Sequence, residues 1–87
     1  MLSVTVLSEN EEIAVAATNH IKDLTQNTIS RIIGPANASI YRINDIYHRI
    51  IYYKDIENKH LTQIKDIIES ALTEDVFKNC QVQFDFR

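Results

Sequence analysis

Arg31–Lys54 reads RIIGPANASIYRINDIYHRIIYYK, and the fold of this 87-residue chain turns on how that stretch is divided. It holds the only glycine and the only proline, adjacent as Gly34-Pro35, and all four tyrosines. Ile46 to Lys54 is dense in β-branched and aromatic residues, which pack well on a pleated surface, so it is predicted as a strand. Asn44-Asp45 just before it is a turn signal. Ile29 to Ile33 is predicted as strand too. It breaks at Gly34-Pro35, because proline donates no ladder hydrogen bond and glycine permits unusual dihedrals. A bulge or bend there, with strand resuming from Ala38 to Arg42, makes the whole stretch a hairpin.

Upstream, Leu2, Val4 and Val6 alternate with Ser3 and Thr5 as a half-buried strand would. Ser8-Glu9-Asn10-Glu11 has the spacing of a capping box, which predicts a helix start. That helix carries Ile13, Ala17, Ile21 and Leu24 on one stripe and ends near Gln26-Asn27. Downstream, Asp55 or Asn58 is positioned to cap a second helix with Leu61, Ile64, Ile68 and Ala71 or Leu72 on its apolar face. Thr73 to Asn79 is ambiguous between a final turn and a loop. Cys80, Val82, Phe84 and Phe86 alternate with Gln81, Gln83, Asp85 and Arg87, which predicts a last strand. The order is βαββαβ. The expected fold is therefore α+β and ferredoxin-like: a four-stranded antiparallel sheet with two helices on one face, residues 1–87 forming a single domain.

Composition narrows the function more than it selects one. A formal net charge of −3 means that any contact with phosphate must come from a local patch rather than from the whole domain. The single Cys80 excludes an internal disulfide and a cysteine-based zinc site, and burial suits it best. No apolar run approaches the roughly 20 residues that cross a bilayer, and no signal peptide opens the chain, so the expected location is cytoplasmic, with no membrane partner. Asn37-Ala38-Ser39 matches a glycosylation sequon, a chance match in that setting.

His20, His48 and His60 fall one to an element, without ligand spacing, and are read as ordinary side chains rather than as a metal site. One glycine cannot build a phosphate-cradling loop. No catalytic constellation and no cofactor site emerge. The third strand is more informative. Alternation puts Tyr47, Arg49, Ile51 and Tyr53 on one face and Ile46, His48, Ile50 and Tyr52 on the other, yet only one face can meet the helices. An open sheet face with aromatics beside basic side chains suits a protein or single-stranded nucleic-acid partner. Tyrosines wrapping the edge of a small core are the plainer reading of the same pattern.

Gly34-Pro35, Ile40, Arg42-Ile43, Asp45, Tyr47 and a strand closing on Lys54 resemble the C-terminal domain of primosomal protein N′, the bacterial replication-restart helicase. The resemblance extends over nearly the whole chain, to the Val82-x-Phe84-Asp85 strand. Where that family has an Arg-aromatic-Arg-aromatic-Gln run, this chain has Ile46-Tyr47-His48-Arg49-Ile50, keeping an aromatic at Tyr47 and placing His48 at an arginine position. The resemblance implies a non-catalytic C-terminal piece of an ATP-dependent 3′–5′ helicase, with ATP and zinc held by other domains. The implied partners are forked or single-stranded DNA, the single-stranded-DNA-binding protein, other primosome proteins and the helicase lobes of the same parent chain. The family's Arg and Gln for the tail of that binding protein lie at the start of the second helix; here those positions are Asn58 and Thr62, with Lys59 and Gln63 adjacent. The candidate contact residues are Arg42, Tyr47, His48, Arg49, Lys54 and Lys59. The acidic balance and the two-sided apolar third strand support a second expectation, a free-standing ferredoxin-like regulatory or dimerisation module.

Overall fold

The alternation of Leu2, Val4 and Val6 becomes β1 (Leu2–Ser8) in the computed structural model of the protein. The structure describes residues 1–28 and 30–87, with side chains except at 37–41 and 43. α1 (Glu11–Thr25), β2 (Arg31–Ile43), β3 (Ile46–Lys54), α2 (Asn58–Ala71), a single 3-10 turn (Asp75–Phe77) and β4 (Gln81–Phe86) follow in order. Expectations placed on Ile29 and on the side chains of Ile40 and Ile43 lie outside the described residues.

The sheet order is β2-β3-β1-β4 with every pairing antiparallel, the ferredoxin-like arrangement the element order implied. β1 lies between β3 and β4, so each helix crosses over one strand before the chain rejoins the sheet. Val4 opposes Ile51 and Leu2 opposes Tyr53. These four side chains are fully buried and meet Ala17 and Ile21 of α1 and Leu61, Ile64 and Ile68 of α2 in one core. Each buried aliphatic side chain there contributes roughly 1.5–3 kcal/mol by leaving water.

The helix starts differ from the capping expectations. β1 pairs as far as Ser8, opposite Tyr47, and the helix begins only at Glu11, so Ser8 stands two residues too early to cap it. Asn10 takes the cap instead: its Oδ1 accepts from the amides of Glu12 at 2.9 Å and Ile13 at 3.3 Å. The Ser8 hydroxyl donates to the Asn79 carbonyl at 3.0 Å and accepts from the Asn10 amide at 3.2 Å, tying β1 to the start of β4. At α2, Asn58 is the first helical residue and Glu57 stands at the cap without a side-chain bond. Asp55 acts one step earlier by accepting from the Glu57 amide at 2.9 Å.

The stripe of α1 is also rotated. Its buried residues are Ala14, Ala17, Thr18, Ile21 and Thr25, while Leu24 is exposed. The two threonines can be buried because their hydroxyls donate to carbonyls one turn back, Thr18 to Ala14 at 3.0 Å and Thr25 to Ile21 at 2.9 Å.

In the hairpin, Asn44 (φ 51°) and Asp45 (φ 65°) both occupy the left-handed region, as a two-residue turn matching the strand twist requires. The interruption at Gly34-Pro35 is a register shift between Ile33 and Ala36, and a second shift falls between Asn37 and Arg42. Gly34 has φ +96°, and a Cβ there would stand 3.0 Å from the Ile50 carbonyl oxygen. β2 stays in the sheet through these shifts, as a bulged edge strand can.

Candidate nucleic-acid and partner interface

The register assigns each β3 side chain to a face. Tyr47 and Arg49 share the face of Ile51 and Tyr53, toward the helices, because their partners Ser8 and Val6 lie on β1's buried side. Ile46, His48, Ile50, Tyr52 and Lys54 therefore face away from the helices. The alternation expected from sequence holds, and it separates Arg49 from His48.

Arg42, at the end of β2, opposes Tyr47 across the hairpin. Its guanidinium donates to Asp45 Oδ1 at 2.7 Å and lies 5.3 Å from the centroid of the Tyr47 ring. Arg49 continues that side of the strand, and its Nε reaches the Thr18 hydroxyl of α1 at 3.5 Å. Arg42 and Tyr47 meet at the hairpin tip, and Arg49 lies two residues further along β3 on the same side, against α1, so the three make a basic-aromatic ridge along that side of the strand. His48, half-buried, stands on the opposite face beside Leu7. Lys54 is exposed at the far end of β3. Lys59, in the first turn of α2, pairs with Glu57 at 3.2 Å. The six candidate contact residues are divided among the hairpin tip, the open sheet face and the start of α2.

The junction of β2, β3 and α2 holds a cluster that sequence spacing did not show. The Ser30 hydroxyl donates to Asp55 Oδ2 at 2.7 Å, and His60 Nδ1 lies 2.8 Å from the same oxygen. The amide of Glu57 and the Ser30 hydroxyl hold the Asp55 carboxyl below its ordinary range, at about 2, with a smaller contribution from His60. The three residue types are those of a hydrolase triad, but the order is not. The hydroxyl bonds to the carboxylate instead of the imidazole, so nothing draws a proton from it, and the cluster is a clasp. The nearest sequence signal was Asp55 as a cap; Ser30 lies 25 residues away.

Two concavities flank the core. One of about 360 Å³ lies between the end of α1 and α2, lined by Leu24, Thr25, His60, Gln63, Ile64 and Ile67. Gln63 is in its wall. A second, of about 530 Å³, lies where β1, α1 and β4 meet, with Leu7, Ile13, Ile46 and Cys80 among its apolar lining. Burial raises the Cys80 thiol pKa, partly offset by the Ser8 hydroxyl, so the sulfur is a poor nucleophile there. Among the described residues no group of three His, Cys, Asp or Glu converges as a metal site. No described helix is long and apolar enough to cross a membrane.

No protein-family model matches the chain, and no curated protein matches it either.

Proposed function

We propose that this chain is a non-catalytic accessory domain of a replication-restart helicase of the primosomal protein N′ kind. In that role it contributes to the binding of branched or single-stranded DNA and of the single-stranded-DNA-binding protein in the cytoplasm. The observation that carries the reading is local. Arg42, Asp45 and Tyr47, which stand apart in the resemblance motif, meet at one hairpin tip, and Gly34-Pro35 sits at the bulge of the same hairpin. The unwinding activity, ATP and zinc of such a parent belong to its other domains.

Fluorescence anisotropy of labelled forked DNA at low salt tests the DNA part. The expected result is binding that weakens with added salt and is lost when Arg42, Arg49 and Lys54 are replaced together by Ala. Unchanged binding by the triple variant overturns it.

A second reading, a free-standing module that dimerises through its sheet, is favoured by the half-buried apolar residues Leu7, Ile46 and Ile50 on the open face. A sedimentation profile that stays monomeric at high concentration counts against it.

A further inference from the structure

Charge is segregated in this fold. The four strands carry four of the nine Lys and Arg residues but only one of the twelve Asp and Glu residues, Asp85. The excess of acids sits on the helices and the connecting segments. An acidic chain thus contains a sheet of the opposite sign.

Within the sheet, register brings two of these cations together. Arg31 of β2 directly opposes Lys54 of β3, and both are exposed on the open face. Like charges directly opposite on neighbouring strands are unfavourable unless something neutralises them. Among the described residues, neither takes part in an ion pair. Asp55, next in sequence, has its carboxylate turned into the clasp with Ser30 and His60.

The next row across the face is Ile33, Tyr52, Ser3 and Asp85, and the row after it contains Ile50, Thr5 and Gln83. Ile33 is 37% exposed and Tyr52 half-buried. The Asp85 carboxylate already accepts from Arg87 Nε at 2.9 Å.

We propose that this open sheet face binds a single-stranded nucleic acid, with Arg31 and Lys54 neutralising adjacent phosphates and Tyr52 offering a ring for a base to stack on. The partner must be anionic to relieve the Arg31–Lys54 opposition. A flat aromatic beside cations suits a strand with its bases unpaired, because stacking accepts any base and phosphate contact accepts any sequence. Gln81 and Gln83, exposed on β4 along the same face, add amides that can meet base edges. This inference rests on the reading of the domain as a DNA-contact module, and it assigns the contact to a surface distinct from the Arg42–Tyr47–Arg49 ridge.

The test compares a set of variants with the wild type, by anisotropy of labelled oligo(dT) and of forked DNA over a salt series. Arg31→Gln/Lys54→Gln is expected to weaken oligo(dT) binding at least tenfold and to reduce the salt slope by about 1.4, since each phosphate contact to a single strand accounts for about 0.7. Tyr52→Leu is expected to weaken it about tenfold with the slope unchanged. Lys22→Gln/Lys78→Gln, which removes two exposed cations from outside the sheet, is expected to leave oligo(dT) binding intact, whereas Arg42→Gln/Arg49→Gln is expected to weaken forked-DNA binding more than oligo(dT) binding. The conservative Arg31→Lys/Lys54→Arg exchange should restore oligo(dT) binding, which separates charge from folding. If the Arg42/Arg49 pair loses binding and the Arg31/Lys54 pair does not, the inference is wrong while the DNA-contact reading survives. If the wild type binds neither DNA at low salt, both fail, and a dimer in sedimentation would assign the face to a second copy of the chain.

Discussion

Gly34 is the residue whose identity the backbone dictates most directly. At φ +96° an L side chain is strained, and its Cβ would press on the Ile50 carbonyl. Gly34→Ala is expected to destabilise the protein by about 1–3 kcal/mol, read from the urea midpoint. A neutral result would mean that the bulge rearranges without cost. Asp55 yields a pH prediction. Its folded-state pKa of about 2 lies below the ordinary 3.8, so it stabilises the fold above pH 4, and that contribution is lost as pH falls toward 2. Asp55→Asn should therefore lower the melting temperature at pH 6, with the gap to wild type closing between pH 4 and 2. A gap constant with pH would show that the charge is not what matters. The proline and glycine were legible as a break in the strand, since both act through the local backbone. The Asp55 clasp was not, because Ser30 lies 25 residues away and reaches Asp55 only once β2 and β3 are paired.

At the scale of elements, β3 was legible from end to end. Its composition fits only a strand, and its alternation assigned every side chain to a face that the register bears out. α1 was legible as a helix, but its buried stripe was not. Apolarity favoured Ile13 and Leu24, whereas the structure buries Thr18 and Thr25, whose hydroxyls are satisfied within the helix. The consequence is a cross-link between elements. Thr25 Oγ1 donates to the Ile21 carbonyl, so the buried Tyr53 hydroxyl, 2.8 Å away, donates to Thr25. Burial raises the Tyr53 pKa, with the Thr25 bond a smaller opposing effect. Tyr53→Phe is expected to cost about 0.5–1.5 kcal/mol through the loss of that bond, and hydrogen exchange should show faster opening in the last turn of α1. Unchanged protection there would argue that β3 and α1 are held by packing alone. The helix caps were misplaced for a related reason: strand pairing keeps Ser8 in β1 and the helix begins only at Glu11, and a capping pattern carries no knowledge of pairing.

At the scale of the whole molecule the strands are nearly free of acids, with Asp85 alone against Arg31, Arg42, Arg49 and Lys54, and the open face carries Arg31 and Lys54 of these four cations. The basic, aromatic character of Arg31 to Lys54 was visible in the sequence. Which of those residues act together was not, because the opposition of Arg31 to Lys54 exists only once β2 and β3 are in register. Nuclear magnetic resonance mapping of the wild-type protein titrated with oligo(dT) at low salt distinguishes binding on the open sheet face from binding elsewhere. The largest shifts are expected at Arg31, Ile33, Ile50, Tyr52 and Lys54, with the outer faces of α1 and α2 unmoved. Shifts confined to the groove between the helices, or none at saturating oligonucleotide, would contradict binding on that face.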